Sequence, residues 1–366
     1  MVLTQVIHVN SKLKYKCKKG KTMALFDKAV TFTDIHLGLK NNSKEHNEDC
    51  LKFIKFMIRE AISKDIKVCV FMGDFFHNRS NVNISTLNYG LEIMKLLDQN
   101  FEKTYFLVGN HDMYHKNKRE VTSINMAEAF ENIHFINEME TIDDCTFIPF
   151  MIDDEYTRLP SLRSKYVFGH LELPGYLLNK MVEMPNHGKE TEDSFSGCEY
   201  VFSGHFHKRQ SKITPQGTKI LYTGNCFPHN FSDTWDDARG IMILEHGKDP
   251  YFVAWEDAPK YRTFTLSELL SDPSYYIQDN VIAKVQVDIP VTMDEISFIR
   301  ELFCTVNNVR EFNVVTNRKA LLEETAGSTE STEETETVDE IVLKQISEID
   351  SPMFDKNLLM QIYTSL

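Results

Sequence analysis

At 366 residues, 42% of them hydrophobic, the chain is long enough for one large domain with a substantial core and a smaller companion. A membrane span and a secretory signal are not expected: no apolar run approaches the ~20 residues that cross a bilayer, and Met1 to Gly20 lacks an apolar stretch with a small-residue cleavage site. The net charge of −14 does not exclude nucleic acid, because residues 323–340 hold eight acidic side chains and no basic one, and attraction to phosphate works through local patches and metals.

Residues 1–28 form a basic N-terminal extension in which Lys12, Lys14, Lys16 and Lys18 alternate with Leu13, Tyr15 and Cys17. A strand there would have one lysine face, suited to a DNA backbone or to guarding a sheet edge. Residues 29–33, 68–72 and 105–108 are Val- and Phe-rich runs that predict buried strands. Between them, Leu51, Ile54, Ile58, Ala61 and Ile62 mark 47–63 as a helix, and Leu87, Leu91, Met94 and Leu97 do the same for 84–97. Such a β-α-β-α-β series predicts right-handed crossovers, with the chemistry on loops at the carboxyl ends of the strands. Strands at 146–150, 166–168, 200–202, 219–222 and 240–244 follow with fewer helices between them. They predict a second sheet packed on the first, giving an α/β fold: a layered sandwich of two mixed sheets flanked by helices, over 29–263.

From about residue 264 the pattern changes. A strand at 281–289, a helix at 293–306 and a strand at 309–315 predict a small α+β cap over 264–320. Residues 321–340 form an acidic, nearly apolar-free stretch expected to be a disordered linker. Overlapping its end, Val338, Ile341, Val342, Ile346 and Ile349 form a helical stripe. Ser351-Pro352 opens a second one with Phe354, Leu358, Leu359 and Ile362. An apolar helix pair on a polar tether, over 341–366, suggests docking onto a partner chain. Seven scattered cysteines with no CxxC pair point to free thiols in a reducing, cytoplasmic compartment.

The chemistry-bearing residues come in order, each at the end of a predicted strand: Asp34-Ile35-His36, Gly73-Asp74, Gly109-Asn110-His111-Asp112, Gly169-His170 and Gly204-His205-Phe206-His207. One histidine alone is more often a hydrogen-bonded core residue; five such motifs in series are not. Period-two alternation would aim Asp34 and His36, and again His205 and His207, the same way. The two oxygens of Asp74 can bridge two ions, Asn110 offers a neutral amide oxygen, and His170 completes the set. Mixed oxygen and imidazole donors suit Mn²⁺, Fe or Zn²⁺ better than Mg²⁺ or Ca²⁺. Two such divalent ions would then activate water and clamp a phosphate. His111 is expected to protonate the leaving oxygen, with Asp112 hydrogen-bonded to its ring, and His77 to contact the scissile nucleotide. Arg79, Lys116, Lys118, Arg119, Lys208 and Arg209 are candidates to grip flanking phosphates. His115, His187 and His229 fall outside these patterns.

Together the motifs resemble those of the calcineurin-like binuclear metallophosphoesterases over roughly residues 29–244. DIHLG, GDFFH and VGNHD look like the SbcD-type recombination nuclease subunit. GHLELPG, FSGHFH, the Tyr222-Thr223-Gly224-Asn225 segment and Asp237-Ala238-Arg239-Gly240 are similar to the T-even-phage branch of that family. The resemblance implies a Mn²⁺-dependent DNA exonuclease and endonuclease acting on DNA ends in recombination, repair and replication. It implies a homodimer, partnered with an SbcC-type coiled-coil ATPase through 341–366, with 264–320 capping DNA. One metal would take Asp34, His36, Asp74 and His207, and the other Asp74, Asn110, His170 and His205. A stand-alone phosphoesterase on small phosphodiesters or phosphoproteins, and a non-catalytic scaffold for the ATPase, are the competing readings. The first 28 residues and the acidic linker have no counterpart in the resemblance.

Overall fold

A computed structural model describes residues 23–178, 182–307 and 309–316. The lysine-rich segment, the acidic linker and the C-terminal stripes lie outside the described residues. The chain divides into two compact units between Val315 and Thr316, and the fold below is that of the first.

Two six-stranded sheets form the sandwich. The first runs, in spatial order, Tyr251–Ala254, Gly240–Glu245, Lys28–Phe32, Val68–Phe71, Lys103–Leu107 and Ile133–Ile136. Its last four strands are mutually parallel, so their carboxyl ends share one edge. The second runs Gln210–Ile213, Lys219–Tyr222, Tyr200–Gly204, Tyr166–His170, Cys145–Ile148 and Glu140–Ile142, with the four inner strands parallel. The strand expected at 240–244 does not belong to the second sheet. It returns to the first and pairs antiparallel with Lys28–Phe32. An apolar run shows that a strand is buried but not which edge it will join.

Alternation within Val68–Phe71 shows why both faces must be apolar. Cys69 and Phe71 point into a core under the helices Lys44–Ser63 and Ile84–Asn100, where Phe53, Met57, Ile93 and Leu97 meet them. Val70 and Met72 point the other way, into the layer between the sheets with Tyr105, Phe147, Phe168 and Phe202. In that layer Tyr105 stacks on Phe147 at 4.5 Å and Phe147 on Phe168 at 5.5 Å, offset pairs worth about 0.5–1.5 kcal/mol each beyond the area they bury.

Both helices begin where a side chain satisfies a free backbone donor. The Ser43 hydroxyl accepts from the His46 N–H, and the Asn83 carboxamide from Ser85. The first helix therefore starts three residues ahead of the expected start at 47. Residues Lys260–Thr265, Val281–Val287 and Glu311–Thr316 form a separate three-stranded sheet, with the helix Met293–Val306 capped by a Thr292/Glu295 box. Its first strand, Lys260–Thr265, begins ahead of the expected boundary at 264. No described helix is long and apolar enough to cross a membrane.

Candidate metal centre

The parallel carboxyl ends of both sheets open onto one edge, and there the five motifs converge. His170, ending a strand of the second sheet, contacts the Met72 carbonyl of the first through Nδ1 at 2.7 Å. A carbonyl only accepts, so Nδ1 carries a proton and Nε2 is the ring atom left to face the site. From the second sheet the His205 N–H also reaches across, donating to Asp34 Oδ2 at 3.0 Å.

Asp34, His36, Asp74 and His205 all have positive φ, at 52°, 48°, 63° and 80°. Non-glycine residues adopt this left-handed region at a cost of about 1–3 kcal/mol each, and only where their surroundings enforce it. The expectation that strand alternation aims Asp34 and His36 together is therefore corrected, since the strand stops at Phe32 and a strained loop does the aiming. Gly109 makes the adjoining turn possible: a Cβ on it would lie 2.2 Å from both the nitrogen and Oδ1 of Asp74.

Two donor clusters result. In one, Asp34 Oδ1 lies 3.8 Å from His36 Nε2 and 3.7 Å from His207 Nε2, the two imidazoles are 3.1 Å apart, and Asp74 Oδ2 is 3.6 Å from His36. In the other, Asn110 Oδ1 is 2.9 Å from both His170 Nε2 and His205 Nδ1, with Asp74 Oδ1 3.4 Å from His170. Asp74 thus touches both. Asp34 Oδ1 and the far nitrogen of His36, Nδ1, are buried with no hydrogen-bond partner. Asn110 turns its oxygen toward imidazole nitrogens and its nitrogen toward Arg79 Nη2, against its hydrogen-bonding preference. Lone pairs gathered this way repel one another unless a cation sits among them. Each cluster fits a divalent ion held by oxygen and imidazole.

Electrostatics follow. Burial drives His36 well below its ordinary value, so it is neutral and able to ligate. Burial disfavours the charged form at His170 too, but the Asp74 carboxylate beside it prevails and lifts it to about 9. Asp74 in turn is held well below the carboxylate range, against its burial, by His170 and His36.

His111 sits at the mouth of the first cluster, its ring 4.9 Å from that of His36. Its N–H donates to Asp74 Oδ1 at 2.8 Å, and its Nδ1 donates to the His77 carbonyl at 2.7 Å. The His77 ring stacks on it at 5.3 Å. Asp112 does not touch that ring, which corrects the expected pairing. It is buried under the loop, accepting from the backbone N–H groups of Asp74, Phe75, Phe76 and Gly109 at 2.9–3.3 Å. Burial and the Asp74 charge push it up to about 7. Its work is to knit the two ligand loops together.

The basic candidates divide. Arg79 stands beside Asn110, Lys208 lines a cavity with His207, and Lys116 and Lys118 are exposed on a hairpin. Arg119 and Arg209 are corrected. Arg119 is buried, paired with Glu155 and donating to the carbonyls of Asn137 and Phe150. Arg209 donates to the Thr223 carbonyl and lies over the Phe252 ring. A cation beside a motif in sequence need not face the ligand.

Three residues had no place in the expected site. Glu172 Oε1 is 3.0 Å from His205 Nε2, and its position two residues beyond His170 was the available signal. Buried Arg239 donates to the His207 carbonyl and to Asn225, anchoring the loop that carries His207. His229 is buried with both ring nitrogens unpartnered, 5.8 Å from the His36 ring and 5.9 Å from that of His207. No spacing pattern marks it.

Known proteins are similar to this chain. Residues 28–209 match the family model of the calcineurin-like phosphoesterases. The chain is 27% identical over 227 residues to exonuclease subunit 1 of Enterobacteria phage T4, covering 60% of this chain and 64% of that protein, less than two thirds of its length. It is also 27% identical over 256 residues to a protein of Invertebrate iridescent virus 6 named as a phosphoesterase, covering 63% of this chain and 86% of the relative. Among solved structures, a dimetal phosphatase from Danio rerio aligns with a TM-score of 0.43 and 8% identity, over 63% of this chain and 96% of that one. Over residues 28–209, this chain is thus similar to the calcineurin-like phosphoesterases.

Proposed function

We propose that this protein is a divalent-metal-dependent DNA nuclease, hydrolysing phosphodiester bonds at DNA ends. The observation that carries it is Asp74, shared by both donor clusters while holding His111 by its main chain. Calcineurin-like phosphoesterases bind two divalent cations. Here Asp34, His36, Asp74 and His207 would hold one, and Asp74, Asn110, His170 and His205 the other; the donor mix suits Mn²⁺, Fe or Zn²⁺, and the resemblance to the SbcD-type nucleases is the ground for taking Mn²⁺. When bound, such a pair supplies Lewis-acid polarisation of the phosphate and a more acidic water.

The chain's own residues do the rest. With Nδ1–H fixed on the His77 carbonyl, His111 as imidazolium keeps a second proton on Nε2. Water oxygen bonds to phosphorus and loses a proton to solvent, the P–O bond to the leaving nucleoside breaks, and that oxygen takes the Nε2 proton, which solvent then restores to His111. In this reading Arg79, Lys116 and Lys208 would hold flanking phosphates, and residues 264–320 would cap the DNA. The likeness to a phage exonuclease subunit supports DNA over a small diester. A homodimer through the helices Lys44–Ser63 or Ile84–Asn100 accords with exposed Ile62, Ile84 and Leu91 on them.

The test is an end-labelled duplex incubated with protein and Mn²⁺, with and without an SbcC-type ATPase, beside the variant His111→Ala. The variant is expected to cleave at least ~100-fold more slowly while retaining its metals. Undiminished cleavage removes His111 from the mechanism; intact DNA alongside turnover of a small phosphodiester sinks the nuclease reading. Deleting 341–366 is expected to abolish co-purification with the ATPase, and a surviving complex would refute docking through that segment.

A further inference from the structure

A cavity of about 300 Å³ opens beside the second donor cluster, with His170 and Glu172 on its inner side. We propose that it is a nucleoside pocket, seating the base and sugar of a single unstacked nucleotide next to the scissile phosphate. This rests on the phosphodiesterase reading and adds to it what flanks the bond.

Shape and chemistry both point there. The volume is at the small end of pockets that hold organic ligands, roughly 300–1,000 Å³, enough for one nucleoside but not a base pair. One wall is apolar and aromatic, from Phe150, Ile152 and Tyr156. The Phe150 ring lies 6.2 Å from His170 and 5.7 Å from His205, so this wall runs directly off the ligands. Flat aromatic surface beside a phosphate site is how single-stranded nucleic acid is held without sequence preference.

Charge discriminates between ligands. Lys116 and Lys189 on the lining can meet a phosphate, but Asp153 and buried Glu190 line the same space. A pocket for a second phosphate would not carry carboxylates. Carboxylates do accept from the amino and imino groups of bases, as with cytosine N4.

The wall is also braced before any ligand arrives. Arg119 Nη1 donates to the Phe150 carbonyl at 2.6 Å and Nε to the Asn137 carbonyl at 2.7 Å. Its partner Glu155 accepts the Ile152 N–H at 3.1 Å, and the Phe150 N–H donates to the Val108 carbonyl at 2.8 Å. Arg119 thereby acquires a purpose: it fixes the surface on which a base would lie, sparing the ordering that binding otherwise requires.

The experiment is isothermal titration of the full chain in Mn²⁺ buffer with deoxycytidine 5′-monophosphate, against 2-deoxyribose 5-phosphate. The nucleotide is expected to bind about tenfold more tightly, the range of one base–aromatic stack. Tyr156→Ala is expected to erase that difference and Tyr156→Phe to keep it. Lys189→Glu, at an exposed position where misfolding is not an issue, is expected to weaken both probes. Equal affinity for the two probes in the wild type overturns the pocket, as does a Tyr156→Ala protein that still prefers the nucleotide. Uncut DNA in the labelled-end assay defeats the nuclease reading whether or not the nucleotide binds, so the two failures are distinct.

Discussion

Asp74 has two oxygens and three partners: His170 on one side, His36 on the other, and the His111 N–H on Oδ1. Asp74→Asn keeps its size and removes the charge that both clusters share. Metal affinity at both sites is expected to fall by on the order of 100-fold or more, beyond the effect of losing an outer-shell partner, as read by calorimetric titration. Loss at one site alone would show that Asp74 is not shared. His170 supplies a second prediction. Raised to about 9 by Asp74 when no cation is present, it is protonated at neutral pH and must release that proton to ligate. Titrating Mn²⁺ at pH 7 in buffers of different ionisation enthalpy should reveal about one proton released per occupied second site. A buffer-independent heat would contradict it. Legibility was uneven at this scale. Asp34, His36 and Asp74 stand in recognisable patterns because the chemistry demands those types at strand ends. His229 could not be found, because a histidine buried by loop packing leaves no periodicity in sequence. Arg119 was misjudged for the converse reason, that proximity along the chain says nothing of which way a guanidinium points.

At the level of elements, the ligand loops are strained segments held between rigid strands. Asp112 staples the loop after Val68–Phe71 to the loop after Lys103–Leu107. Gly109→Ala would force a Cβ to within 2.2 Å of Asp74 backbone and side chain. The expected result is a stability loss of about 1–3 kcal/mol, typical of overpacking, with weakened metal binding, checked by urea unfolding and metal titration together. A variant of wild-type stability would show that the loops yield more easily than the geometry implies. The strands and helices that were expected fall within a few residues of those observed, but the outer strands Ile133–Ile136, Glu140–Ile142, Gln210–Ile213 and Tyr251–Ala254 were not foreseen. Sheet membership was not, because Gly240–Glu245 pairs with a strand far away in sequence and its own pattern carries no record of that partner.

At the level of the molecule, Arg310 reaches from beside the three-stranded sheet to Asp49 on the helix Lys44–Ser63, at 2.8 Å. Asp49 is buried and Arg310 partly exposed, so Arg310→Met strands a buried carboxylate. A loss of about 1–3 kcal/mol is expected, below the range for fully buried pairs, and Asp49→Asn in the same chain should recover part of it. No loss on calorimetric unfolding would make the pair ornamental. Acid stability has a defined window as well. Burial lowers His46 to about 4, whereas the unfolded chain titrates near 6.5. Protons therefore bind the unfolded state first: the contribution is complete above pH 6.5, falls as pH drops, and is gone below about 4. His46→Gln should reduce the slope of the unfolding free energy of the metal-free protein across that interval, with buried His36 and His229 supplying the remainder. The antiparallel pairing of Lys28–Phe32 with Gly240–Glu245 carries one more implication. These partners lie roughly 200 residues apart, the kind of non-local closure that slows folding. During synthesis, the first strand must wait with one edge open until Gly240–Glu245 has left the ribosome. The nascent chain cannot complete its central sheet early, and a ribosome stalled before residue 240 would display an unpaired β-edge, a natural target for chaperones.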